Sequence, residues 1–179
     1  MTLADLIVAE AQRQNIDPKL ALEVATDESN LNQNAVGRSG EIGVFQLLPS
    51  SFPGLDLADV NVNIANGVGY LAAMLAKYQN PAAALAAYNW GPTNLDQAMA
   101  RYGSDWFSHI PASTQAYVAK ILGNVSSQYQ AAVGPLPVPA ALPNLFASAT
   151  PPPGGMSVWT QVAIAIGVIF GITLLLSDG

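Results

Sequence analysis

The chain carries Asp27-Glu28-Ser29, then Gly43-Val44-Phe45-Gln46, then Ala87-Tyr88-Asn89-Trp90-Gly91-Pro92, and finally Tyr117-Val118. These four motifs contain an acidic residue, a glycine turn, a Tyr-Asn pair and a late tyrosine. Each motif alone is weak, but the four in this order are informative. Because they lie up to about ninety residues apart, they can form one site only if the fold brings them together. The patterns around the first, third and fourth motifs predict helices, whereas glycines interrupt any helix around the second.

The stretch before Glu28 has two faces at helical spacing. The polar stripe consists of Lys19, Glu23 and Asp27. The apolar side consists of Leu20, Ala21 and Val24. Glu28 falls on the apolar side, where loss of water disfavours the carboxylate and should raise its pKa, whereas Asp27 should stay solvated and ionised. A carboxylic acid that stays protonated near neutral pH can protonate a glycosidic oxygen.

In order and spacing, the motifs resemble the catalytic domain of soluble lytic transglycosylases, lysozyme-like enzymes that cleave bacterial peptidoglycan. The resemblance covers roughly residues 20–122. Residues 43–46 correspond to the family's Gly-Leu-Met-Gln, and residues 86–92 are close to its Ala-Tyr-Asn-Ala-Gly-Pro. Residues 110–118 resemble its late Pro-x-x-Glu-Thr-x-x-Tyr-Val, with Ser113 at the usual glutamate.

Short apolar pieces between glycines, such as Ile42–Phe45, predict a small hairpin region. The resemblance implies a mostly α, lysozyme-like α+β fold with a helical catalytic domain. It implies Glu28 as the catalytic acid, with no metal and no cofactor. The residues it implies for substrate binding are Ser29, Gln46, Tyr88, Asn89 and Tyr117.

The resemblance also implies a reaction that needs only one carboxyl group. The acid protonates the bond between N-acetylmuramic acid and N-acetylglucosamine, and then acts as base on the muramyl C6 hydroxyl, which closes a 1,6-anhydro ring. Most glycosidases need a second carboxylate. Glu41, in the glycine-rich turn, is the alternative partner here and would favour hydrolysis.

Several residues keep two interpretations. Gln46 either binds sugar hydroxyl or acetamido groups or caps its own turn. Tyr117 either bonds near Glu28 or is a core tyrosine, and Trp90 is either a sugar-stacking platform or surface packing. His109 is interpreted as a loop residue.

Composition excludes several classes of function. The 179 residues include no cysteine and one histidine, so thiol catalysis, zinc–thiolate sites and multi-histidine metal clusters are excluded. The net charge is −6, which argues against a nucleic-acid partner. Because an acidic chain has no long-range attraction to anionic cell-wall polymers, glycan binding must come from a shaped groove.

The distribution of charge and proline predicts three regions. Residues 1–133 hold nearly all the charge and form the predicted catalytic domain, and residues 134–156 are a Pro/Gly-rich linker. Residues 157–177 are uncharged and predominantly apolar, and Asp178 follows them. About 20 such residues are enough to span a bilayer, so this stretch predicts a transmembrane helix at the short end of the usual range, with a buried core helix as the alternative. The N-terminus lacks a basic start followed by an apolar run, so we expect no secretory signal peptide.

These features together favour a bacteriophage virion enzyme, anchored in an internal membrane, that opens the cell wall locally for genome delivery. Its expected partners are peptidoglycan strands, the membrane and other virion membrane proteins. The alternatives are a wall-remodelling transglycosylase of a secretion or conjugation system, in the host inner membrane facing the periplasm, a goose-type-lysozyme-like hydrolase, or a catalytically weak structural virion membrane protein.

Overall fold

The structure, a computed structural model, describes residues 1–125, which form six α-helices joined by loops and two 3-10 turns. The helices are α1 (Leu3–Arg13), α2 (Pro18–Ser29), α3 (Val60–Tyr78), α4 (Pro81–Trp90), α5 (Pro92–Tyr102) and α6 (Ala112–Asn124). The predicted domain end at residue 133, the linker at 134–156 and the transmembrane helix at 157–177 lie outside the described residues. Among residues 1–125, no helix has the length and apolar character needed to cross a membrane.

Side-chain caps explain where the first four helices begin. Thr2 and Asp5 form a reciprocal capping box at α1. Asp17 caps α2, Asp59 caps the first turn of α3, and Asn80 accepts a hydrogen bond from the backbone of α4. Proline opens three helices, where its missing N–H would be unpaired in any case: Pro18, Pro81 and Pro92.

Helix α4 lies at the centre of the fold, in contact with α3, α5 and α6. Its first seven residues, 81–87, are all buried, and five of them are alanines. A helix that is apolar on every side must be enclosed, and small side chains let neighbouring helices approach closely. The end of α4 is thereby placed firmly beside the loop that follows α2.

The Gly91-Pro92 pair joins α4 directly to α5, a helix that the sequence motifs did not predict. Gly91 does end α4, with a φ of 94° that favours glycine. Pro92 then starts α5 immediately, and Leu95 and Ala98 face the core three residues apart. One dipeptide therefore ends one helix and begins the next.

The expected small hairpin is reduced to two isolated bridges within the described residues. Ile42 pairs in antiparallel fashion with Val36 on one side and with Leu47 on the other. The chain reverses within five residues on each side, and Gly43 and Gln46 both adopt positive φ. Turns this close together leave no room for a strand of ordinary length.

The buried backbone of Val44 is paired by side chains from two other segments. Its N–H donates to the side-chain oxygen of Gln33 at 3.2 Å, and its carbonyl accepts from the Ser29 hydroxyl at 2.9 Å. Val44 has no exposed surface, so water cannot replace these partners.

Phe45 is paired in the same way from two helices. Its N–H donates to Asn63 of α3 at 3.0 Å, and its carbonyl accepts from the Tyr88 hydroxyl of α4 at 3.0 Å. Its ring packs directly on Gly67, where an added Cβ would lie 2.2 Å from the ring. The loop is therefore fastened to α2, α3 and α4 at once.

Asn63 is fully buried, and its side chain bonds to backbone groups of the segment that connects α2 to α3. Its amide nitrogen donates to the carbonyls of Ile42 and Leu57, and its oxygen accepts from Phe45. We expect Asn63→Leu to lower the free energy of unfolding by at least about 3 kcal/mol, because three backbone groups lose their partners. Urea denaturation followed by tryptophan fluorescence measures this loss.

Asn66→Ala is the matched control. Asn66 lies one turn away on α3 and bonds only to the carbonyl of Val62 in its own helix. It should cost less than about 1 kcal/mol. Equal losses for the two variants would contradict the role assigned to Asn63.

Candidate active site

A cavity of about 480 Å³ opens where the end of α2, the following loop, α3 and the end of α4 meet. Four predicted site residues line it: Glu28, Gln46, Tyr88 and Asn89. Glu41 and Trp90, which the sequence left with two interpretations, line it as well. The wall combines carboxyl, amide and hydroxyl groups with aromatic and aliphatic side chains, and a cavity of this size is typical of small-molecule sites.

Glu28 lies in the last turn of α2, with its carboxyl group largely removed from water. Burial raises the pKa of Glu28 from 4.5 to about 7; the hydrogen bond from Tyr117 opposes the rise, and the charges of Asp27 and Glu41 add to it. The C-terminal end of a helix also disfavours a negative charge. The predicted direction of the Glu28 pKa is thus the one the structure gives.

Tyr117 combines the two interpretations left open by the sequence. It is buried against the core of the fold, and its hydroxyl donates to Oε1 of Glu28 at 2.8 Å. Burial raises the pKa of Tyr117 well above its ordinary value, with the charge of Glu28 adding to the effect. The hydroxyl therefore remains a donor and orients the carboxyl group.

The expectation that Asp27 is freely solvated on the opposite face was wrong. Its side chain is 17% exposed and forms an ion pair with Lys120 of α6. Successive residues of a helix are separated by about 100° around its axis, not by 180°. Asp27 and Glu28 therefore both reach α6, where their partners Lys120 and Tyr117 lie one turn apart. Glu23, on the same stripe, accepts a hydrogen bond from Asn124.

Glu41 presents a second carboxylate to the cavity. The pKa of Glu41 is lowered, first by its own backbone N–H and then by Ser39, whose N–H donates to Oε2 at 2.9 Å. The carboxylate rests against Gly37, where a Cβ would meet Oε2 at 2.2 Å. The cavity therefore holds two acids with opposite pKa shifts.

Gln46, Tyr88 and Asn89 each make a structural hydrogen bond while lining the cavity. The Gln46 amide donates to the Gly43 carbonyl at 2.8 Å, which closes its own turn. The Tyr88 hydroxyl donates to Phe45, and the Asn89 oxygen accepts from Thr114 at 2.9 Å. These bonds fix the orientation of the side chains, and the turn-capping interpretation of Gln46 holds alongside its position in the cavity.

Ser29 and Tyr117 are not among the residues that line the cavity. Ser29 bonds to Val44 and accepts from the N–H of Asn32 at 3.0 Å, so it shapes the turn after α2. Ser29 and Tyr117 therefore act on the site through Val44 and Glu28, the residues to which they bond.

Several residues of the cavity wall were missed by the sequence analysis: Leu47, Leu48, Ser51, Phe52, Tyr70 and Gly91. Tyr70 comes from the middle of α3, and its ring lies 5.1 Å from that of Tyr88 and 6.1 Å from that of Phe52. No short motif marks it, and only the packing of α3 against α4 brings it to the site. Within residues 1–125, no group of three acidic or histidine side chains could hold a metal ion.

The raised pKa of Glu28 makes stability depend on pH. Because the folded pKa of about 7 exceeds the unfolded value near 4.5, the folded state binds more protons between these limits. The stabilisation from protonated Glu28 is fully present below about pH 4.5 and is lost as pH rises through about 7. We expect the stability of the natural chain relative to Glu28→Gln to fall by about 2 to 3 kcal/mol from pH 4.5 to 8, as measured by urea denaturation. Parallel stability curves for the two proteins would contradict the assignment.

Comparisons with known proteins agree with the geometry of the site. Residues 5–110 match the family described as Transglycosylase SLT domain. A protein called Transglycosylase, from Enterobacteria phage PRD1, is 30% identical over 140 residues, which cover 76% of this chain and 48% of the relative. The chain thus spans about half the length of this relative.

Two solved structures share the fold. The lytic transglycosylase Slt of Pseudomonas aeruginosa, an inactive variant with one glutamate exchanged for glutamine, matches with a TM-score of 0.61 and 22% identity over 72% of this chain and 24% of its own. The 70 kDa soluble lytic transglycosylase of Escherichia coli matches with a TM-score of 0.60 and 25% identity over 73% and 24%. The expected lysozyme-like transglycosylase fold is therefore confirmed as a mostly helical one. Since the family match extends over more than half of the chain, the chain belongs to the Transglycosylase SLT domain family.

Proposed function

We propose that the chain cleaves peptidoglycan glycan strands by non-hydrolytic transglycosylation, with Glu28 as the catalytic acid and then the base. The observation that carries this proposal is the Glu28 carboxyl group, whose pKa burial raises to about 7, on the wall of an open cavity. Such a group is present in both protonation states near neutral pH, as a residue that first gives and then takes a proton must be. The inactive glutamate-to-glutamine variant of the Pseudomonas aeruginosa relative supports a glutamate-dependent reaction.

The proposed reaction conserves protons at Glu28. The carboxyl group donates its proton to the oxygen that links N-acetylmuramic acid to N-acetylglucosamine, and the bond from that oxygen to the muramyl C1 breaks. The carboxylate then accepts the proton of the muramyl C6 hydroxyl, whose oxygen bonds to C1 and closes the 1,6-anhydro ring. The Tyr117 hydroxyl stabilises the transient carboxylate by donating to it.

We assign the surrounding residues to two tasks. Gln46, Tyr88 and Asn89 line the cavity and would contact the sugar. The amide nitrogen of Asn89 has no protein partner in the described part of the chain and is free to donate to a hydroxyl or acetamido oxygen. Ser29 and Tyr117 would act by positioning, through Val44 and Glu28 respectively.

Hydrolysis is a second candidate, favoured by the position of Glu41 in the same cavity. A lowered pKa keeps Glu41 ionised, which suits a base that activates water. The two reactions differ in their products, because hydrolysis leaves a reducing muramic acid and ring closure does not.

Mass spectrometry of digested peptidoglycan tests both the residue and the reaction. We expect the natural chain to release fragments that end in 1,6-anhydro-muramic acid, without new reducing ends. Glu28→Gln should release at least ~100-fold less, because the amide keeps the shape of the side chain but transfers no proton. The fold of this variant is checked by circular dichroism.

Asp27→Asn is the matched control, since it alters the neighbouring carboxylate and loses only the ion pair with Lys120. It should retain activity within about tenfold. An inactive Asp27→Asn beside an active Glu28→Gln would refute the assignment of the acid. Reducing-end muramic acid as the main product would replace transglycosylation by hydrolysis with Glu41, and the absence of any cleavage would favour the structural virion protein.

We further propose that the enzyme acts from a phage virion membrane, with residues 1–133 as the catalytic domain, 134–156 as a tether and 157–177 as the anchor. The transglycosylase of phage PRD1 supports the phage setting, and the uncharged apolar sequence after residue 156 supports the anchor. Local wall opening for genome delivery, with other virion membrane proteins as partners, fits this setting. A host inner-membrane enzyme facing the periplasm is the alternative.

Removal of the proposed anchor tests this arrangement. A chain that ends at Val133 should stay in solution and cleave peptidoglycan, because the helices that build the cavity lie within residues 1–125. The full chain should partition into detergent micelles or lipid vesicles, as measured by flotation. A full chain that stays in the aqueous phase would refute the anchor but leave the proposed reaction intact.

A further inference from the structure

We propose that Trp90 forms a stacking subsite for a pyranose ring of the glycan, beside Glu28 in the same cavity. This inference rests on the proposed function and adds a substrate-binding residue to it. It assigns the uncharged sugar, rather than the peptide or a charged group, as the part of the substrate held there.

The backbone fixes the position of Trp90 from both sides. It is the last residue of α4, three residues after the enclosed segment 81–87, and Gly91 follows it with a φ of 94°. Its carbonyl accepts from the side chain of Asn94 in α5 at 2.7 Å. The backbone that carries the ring is thus held in place before substrate arrives, so little backbone ordering would oppose binding.

The packing of Trp90 differs from that of a core tryptophan. Trp106 is 4% exposed and belongs to the core, whereas Trp90 is only half-buried: it packs against the core on one side and lines the open cavity on the other. A large aromatic side chain at this position therefore contributes a wall of the cavity rather than the centre of the fold.

The chemistry of the wall suits a neutral sugar. An indole offers a flat apolar face and one N–H donor, which match the C–H face and the hydroxyl groups of a pyranose. Among the described residues that line the cavity, none is lysine, arginine or histidine, and Glu41 is a carboxylate. An anionic group would be repelled here, so the peptide carboxylates of peptidoglycan are poor candidates for this position.

Binding to an inactive protein separates this inference from the proposed reaction. The probe is chitotriose, three β-1,4-linked N-acetylglucosamine residues, titrated by calorimetry into the full-length Glu28→Gln protein in detergent. We expect the Glu28→Gln protein to bind chitotriose, and we expect the addition of Trp90→Ala to weaken the affinity about tenfold. The addition of Trp90→Phe should keep the affinity within about threefold of that of the parent, because phenylalanine keeps a flat apolar face. Trp106→Phe, outside the cavity, is the matched control and should leave the affinity unchanged.

Each outcome bears on one claim. No binding of chitotriose by the Glu28→Gln protein, or equal affinities with Trp90 and with alanine, would overturn the subsite. Equal losses for Trp90→Ala and Trp90→Phe would also overturn it, because they would show that stacking is not the cause. Trp90-dependent binding together with no peptidoglycan cleavage by the natural chain would refute the proposed function and leave the subsite standing.

Discussion

The buried backbone of Val44 and Phe45 is the constraint on which the site depends. These two residues have no exposed surface, so their four polar backbone groups need partners within the protein. The partners are four side chains from four segments: Ser29, Gln33, Asn63 and Tyr88. These hydrogen bonds order a short loop that has no regular secondary structure. The loop in turn fixes the distance between the end of α2 and the end of α4. The cavity lies between those two ends.

Glu28 depends on this arrangement for its chemistry. A carboxyl group at the C-terminal end of a helix and away from water is unstable as an anion, and the Tyr117 hydroxyl offsets only part of that cost. The balance leaves the pKa of Glu28 at about 7. Asp27, one residue earlier, forms an ion pair with Lys120 of α6. Two adjacent acids on one helix therefore differ through their partners on α6.

The sequence predicted what depends on neighbours along the chain. The apolar side of α2, with Leu20, Ala21 and Val24, is set within one or two helical turns. The pairing of Asp27 with Lys120 and the bond of Ser29 to Val44 are not, because they require the positions of α6 and of the loop after folding. For the same reason a motif residue such as Ser29 was expected to face substrate when it supports the loop instead. Helix α5 was missed for a local reason, since a Gly-Pro pair is compatible with both an end and a beginning.

The enclosed alanines of α4 have a consequence for how the chain can vary. Seven successive residues, 81–87, have no side facing solvent, so a larger side chain at any of them would displace a neighbouring helix. Three residues later, at position 90, the side chain packs against the core on one side and borders the open cavity on the other, so a change of size there can be taken up by the cavity. Substitutions that adapt the protein to a different glycan can therefore occur at position 90, at the end of this helix, but not along residues 81–87. Among functional variants, we therefore expect the amino acids at positions 81–87 to vary little and the amino acid at position 90 to vary more, although the two lie within one helical turn of each other.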